Sequence, residues 1–73
     1  MPTRTVRAEM GGTVIEIGCS TGASVNEEDT LLIMEAMKIE MRIVAPVTGR
    51  IRELRIALND VVQEDQVLAV IEY

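Results

Sequence analysis

A chain of 73 residues has room for one compact core and little else. Its apolar share of 48% argues against disorder, and a formal charge of −5 disfavours nucleic acid and anionic membrane surfaces, which select clustered Lys and Arg. The single Cys19 excludes an internal disulfide, and the absence of His removes the commonest metal ligand and general base. With no Phe or Trp, the core must be built from Val, Ile and Leu, which favour strands.

Taken in order, Thr3 to Ala8 reads as a first strand and Gly11-Gly12 as a turn. No apolar run follows Met1-Pro2-Thr3-Arg4, so a signal peptide is not expected, and the opening Met suggests a natural start. With an unpaired cysteine, this fits a reducing cytoplasm. Thr13 to Ile17 alternates as a second strand, Gly18 to Ser24 loops around Gly22, and a short strand or bridge falls near Val25. The acidic run Glu27-Glu28-Asp29 lacks the alternating ligand spacing of a calcium loop and reads as a solvated turn.

Residues 26 to 44 are ambiguous when read locally. Asn26 would cap a helix, acids follow in its first turn, and Ile33, Met37, Met41 and Val44 would share one face. The ambiguity is resolved by a pseudo-repeat. Shifted by 37 positions, the halves align without a gap: Ala8 meets Ala45, Gly12 meets Gly49, Val14 meets Ile51, Leu31 meets Leu68, and Glu35 meets Glu72. The second copy, Val67-Leu68-Ala69-Val70-Ile71-Glu72, is rich in β-branched residues and reads as a closing strand, so its twin Leu31 to Glu35 is expected to be one too. Ile39, Met41 and Ile43 then alternate with Glu40, Arg42 and Val44 down to Ala45-Pro46. Pro46 to Gly49 turns, Arg50 to Ile56 alternates, Asn59-Asp60 turns, and Val67 to Ile71 closes the chain.

Short strands with tight turns predict an all-β sandwich or barrel, formed by one domain over residues 1–73. Its pseudo-repeats, about 8–35 and 45–72, are joined by a hairpin that carries Lys38, with the termini expected on the opposite side. Cys19 has no histidine to activate it and reads as a core or edge residue. Met34, Met37 and Met41 read as packing rather than a soft-metal site. Arg50, Arg52 and Arg55 read as outward partners of surface acids. Neither a catalytic residue nor a metal site is expected.

Glu35-Ala36-Met37-Lys38, followed by Ala45-Pro46-Val47-Thr48-Gly49, resembles the attachment signature of biotinyl domains, and the resemblance covers nearly the whole chain. It is most similar to the small stand-alone biotin/lipoyl attachment proteins. The resemblance implies a barrel-sandwich hybrid: two four-stranded antiparallel sheets in a flattened barrel with a pseudo-two-fold repeat. It also implies that Lys38 is biotinylated by a separate biotin protein ligase, with Glu35, Ala36, Met37 and Ile39 as the recognition flank. The carrier would then shuttle carboxyl groups between biotin carboxylase and carboxyltransferase partners. Lipoate on the same lysine is one alternative, although lipoyl domains more often place Asp where Met37 stands; an unmodified β docking domain is another. Ile39 departs from the usual Met, Glu9 and Gly11 stand where prolines are frequent, and Glu28 and Asp65 stand where a turn glycine is common. A positive backbone angle at these last two positions would be strained, especially at Glu28.

Overall fold

The computed structural model describes residues 1–73 as eight strands. In chain order they are β1 (Thr3–Arg7), β2 (Gly12–Ile17), β3 (Ser24–Val25), β4 (Thr30–Ala36), β5 (Ile39–Val44), β6 (Gly49–Leu54), β7 (Val61–Val62) and β8 (Val67–Glu72). Two four-stranded antiparallel sheets result, ordered β1-β8-β6-β3 and β5-β4-β2-β7. The segment 26 to 44 contains no helix. Its acids form a turn, with the Asn26 amide donating to Asp29 Oδ2 at 2.8 Å, and Leu31, Leu32 and Met34 are buried in the strand that follows.

Alternation along the strands sends one face of each sheet inward. The resulting core is a single cluster of 14 buried residues, all aliphatic or Met. Leu31, Leu32, Met34, Ile51, Leu68 and Ile71 are its largest members, and no polar residue is buried. Twin positions recur within it: Val14 with Ile51, Val25 with Val62, Leu31 with Leu68, and Ala8 with Ala45. Cys19, the twin of Ile56, packs half-buried against this cluster. Its burial pushes the thiol pKa up.

Backbone hydrogen bonds between the halves are also matched. The Gly22 amide donates to the Ile51 carbonyl at 2.7 Å, and the Asn59 amide donates to Val14 at 2.8 Å. The Glu28 amide donates to Ala45 at 2.8 Å and the Asp65 amide to Ala8 at 2.7 Å. Each half's turns are thus held by the other half, two by its strands and two by the residues just past them. The four turn residues all have positive φ: 90° at Gly22, 73° at Asn59, 78° at Glu28 and 69° at Asp65. Glu28 and Asp65 therefore occupy the left-handed region without glycine's freedom, at about 1 kcal/mol each.

Three readings of the sequence are corrected. Gly11-Gly12 is not the turn: the chain bends at Glu9-Met10, and Gly12 already pairs with Val62 as the first residue of β2. Glycine is needed there for closeness, since a Cβ would lie 2.8 Å from the Glu35 carbonyl oxygen. The strand drawn from Arg50 to Ile56 ends at Leu54, after a bulge between Ile51 and Glu53. The bulge breaks the alternation, and Ile56 reaches the core from beyond the strand. Met37 does not pack: it is 87% exposed, whereas Met34 is buried and Met41 lies against the core. Of the three arginines, Arg52 faces Glu72 at 3.7 Å and Arg55 faces Glu53 at 3.1 Å, both partly exposed surface pairs of small energetic weight.

Candidate functional site

The hairpin of β4 and β5 carries the site. Its ladder runs Leu32↔Ile43, Ile33↔Arg42, Met34↔Met41, Glu35↔Glu40 and Ala36↔Ile39, so Met37 and Lys38 alone make the turn. Their φ angles are 52° and 64°. A two-residue hairpin loop with both angles positive matches the strand twist, and Asn-Gly is the preferred pair for it. Met and Lys take that conformation here at a conformational cost, since each sits in the left-handed region without a glycine.

Lys38 is exposed at the tip, and it takes part in neither ion pair of the chain. Period-2 alternation sorts its neighbours onto two faces. Glu35 and Glu40 lie directly opposite each other on the outer face, both exposed, a like-charge pairing that weakens the hairpin slightly. Ala36 and Ile39 face the inner side with Met34 and Met41, but the hairpin overhangs the barrel, and Ile39 remains 65% exposed. All five residues of the expected attachment site thus cluster at one tip.

At the other end of the pseudo-repeat, Pro2 and Tyr73 are the twins of Ile39 and Ala36. The Tyr73 amide donates to the Pro2 carbonyl at 3.0 Å, so the two ends of the chain meet where the twin of the hairpin neck would be.

Below the tip lies a groove of about 170 Å³ that reading the sequence missed. It is lined by Glu9 and Met10 from the β1–β2 connection, Met34 from β4, and Met41, Arg42 and Ile43 from β5. The β1–β2 connection reaches this end because Gly12 enters sheet β5-β4-β2-β7 beside the hairpin neck; a Cβ on it would meet Met34 Cε at 3.2 Å and Ala36 Cβ at 3.4 Å. No local sequence signal announces such a contact between residues so far apart in the chain.

The fold and its tip define a class: an eight-stranded barrel-sandwich that presents one lysine on an overhanging two-residue turn, with no buried polar residue around it. The profile of the family described as "Biotin-requiring enzyme" matches residues 4–71, and the chain belongs to that family of biotin/lipoyl-attachment domains. It is 35% identical to the "Biotinylated protein TB7.3 homolog" of Mycobacterium leprae, over 90% of this chain and 93% of that protein. It is 37% identical to the pyruvate carboxylase of Bacillus subtilis over 92% of this chain, but spans only 6% of that enzyme. Among solved structures, the urea carboxylase of Kluyveromyces lactis superimposes with a TM-score of 0.90 at 26% identity, over 99% of this chain and 6% of the other.

Proposed function

We propose that this protein is a biotin carboxyl carrier, a single domain of residues 1–73 made of pseudo-repeats 8–35 and 45–72, with biotin attached through Lys38. The observation that carries the proposal is the lysine itself, exposed on the hairpin tip within Glu35-Ala36-Met37-Lys38. Family membership and the similarity to a biotinylated protein support biotin as the group carried. The likeness to domains within two carboxylases supports carboxyl transfer as its use.

The chemistry asked of the chain is limited. The deprotonated Lys38 amine attacks an activated biotin carboxyl, an amide bond forms, the activating group leaves, and the amine gives up a proton. Attachment replaces an ammonium with a neutral amide. Bound biotin supplies the site that takes up and releases a carboxyl group; the protein supplies position and mobility. Tethering raises the local concentration of the cofactor at a partner's active site without any new contact. The carrier itself is not catalytic. A biotin protein ligase reads the tip, with Glu35, Ala36, Met37 and Ile39 as its flank, and carboxylase and carboxyltransferase components receive the loaded arm. The unpaired Cys19 supports a cytoplasmic location.

Intact-mass measurement and peptide mapping of the protein from its native host test this reading. One biotin on Lys38 is the expected result; a lipoyl mass, or unmodified protein beside an active biotin ligase, overturns it. Lys38→Arg is expected to fold with stability changed by less than about 0.5 kcal/mol, as at other exposed positions, and to accept no biotin.

A further inference from the structure

The groove below the hairpin has features that the attachment reaction does not use. Its floor is soft and apolar, formed by Met10, Met34, Met41 and Ile43, and its rim holds two opposite charges, Glu9 and Arg42. Those two side chains do not pair with each other: the two ion pairs of the chain lie elsewhere. The Arg42 Nε donates to Thr30 Oγ1 at 2.9 Å, which holds the guanidinium toward the base of β4 and leaves Glu9 as the charge free to meet a ligand. Glu9 has no side-chain partner and is exposed.

An apolar path links the groove to the tip. Ile39, Met41 and Ile43 share the inner face of β5, and Ile39 is 65% exposed for no reason that core packing supplies. Met10, on the far wall, is 43% exposed. Lys38 closes the turn just before Ile39, and Ile39 and Met41 are two residues apart on β5, about 7 Å at the usual rise. The lysine stem and the acid chain of biotin together exceed that distance.

We propose that the groove is a resting site for the ring system of the biotin carried on Lys38. This rests on the biotin-carrier reading. The sulfur-containing ring lies against the thioethers of Met10 and Met41, whose flexible, polarisable side chains accommodate such a surface. The ureido ring presents two N–H donors and one carbonyl acceptor. The Glu9 carboxylate accepts from one of the ureido N–H groups, and such a charge-assisted bond is of the stronger kind. Docking shields the ring between transfers and is reversible, because a tether supplies only a millimolar effective concentration against a weak contact.

Nε-biotinyl-lysine added to the unmodified protein tests the groove independently of attachment, followed by NMR of the methionine methyl groups. Titrated into concentrations on the order of millimolar, it is expected to shift the Met10 and Met41 signals saturably and leave Met1 unmoved. Glu9→Gln and Met10→Ser are each expected to weaken that binding by roughly tenfold, the usual scale for one lost charge-assisted bond or apolar contact. In protein biotinylated on Lys38 the same two signals should move in the same direction. Unmoved Met10 and Met41 signals, or binding indifferent to both substitutions, overturn the resting site. A chain that never acquires biotin in its host would refute the carrier reading, while the titration still decides the groove.

Discussion

Gly49 opens β6 against the Glu72 carbonyl, just as its twin Gly12 opens β2 against the Glu35 carbonyl. At Gly49 a Cβ would overlap that oxygen and also meet Ile71 Cγ2 at 2.9 Å. Gly49→Ala is therefore expected to cost about 1–3 kcal/mol, the usual range for forced overpacking, and to lower Tm by several degrees in thermal unfolding. Gly12→Ala should cost less, because its tightest contact, the Glu35 carbonyl oxygen at 2.8 Å, is looser than the overlap at Gly49. Cys19 is a second single-residue case. Burial raises its thiol pKa, so the folded chain holds that proton to higher pH than the unfolded chain does. The stabilising contribution is complete below the ordinary thiol pKa and is lost as pH rises through the folded one. Alkylation of native protein at mildly alkaline pH should run slower than in urea, since the thiolate is the nucleophile and burial disfavours it. Cys19→Ser should flatten the alkaline decline in stability.

At the scale of one element, the β4–β5 hairpin sets stability against function. Met37 and Lys38 hold φ of 52° and 64° in a turn for which Asn-Gly is the relaxed choice. The double substitution Met37→Asn, Lys38→Gly is expected to stabilise the domain by about 1 kcal/mol, visible as a higher urea midpoint at unchanged slope. The same change removes the only lysine of the chain and with it the proposed attachment point. A lower midpoint would mean that the two-residue turn is wrongly described. The Glu35↔Glu40 pairing adds a second small cost at the same place. An overhanging tip tolerates both because the core ends at Met34 and Met41.

The whole molecule is bound together by the way its halves are shared. Sheet β1-β8-β6-β3 takes two strands from each half, and so does sheet β5-β4-β2-β7. Turn amides of each half bond to backbone carbonyls of the other. Neither half can close a sheet or bury its Leu31 or Leu68 alone. Fragments 1–37 and 38–73 are each expected to give a disordered circular dichroism spectrum, and an equimolar mixture should recover β structure. A folded lone fragment would show that the halves are independent. The intact chain should unfold in one cooperative transition, with calorimetric and van't Hoff enthalpies equal, because one cluster holds all the buried residues.

Strand periodicity and the Gly22 and Asn59 turns were legible in the sequence because each depends on local spacing. The helix-like stretch from 26 to 44 needed the comparison of Leu31–Glu35 with Leu68–Glu72, since Glu, Ala, Met and Lys favour helices whenever packing does not overrule them. The left-handed angles at Met37 and Lys38 were not legible, because neither residue type asks for them; the Ala36↔Ile39 register imposes them. Gly12 was misread as a turn for a related reason. Its role is space beside a carbonyl on another strand, and a glycine pair looks the same whether it supplies freedom or room. The groove of Glu9, Met10, Met34, Met41, Arg42 and Ile43 exists only after β2 is inserted beside β4. The sequence by itself determined where most of the longer strands lie and which lysine stands between the two copies. Only the tertiary structure decided what those strands crowd, what they leave exposed and what lies within reach of the lysine, because those contacts join residues that the chain keeps far apart.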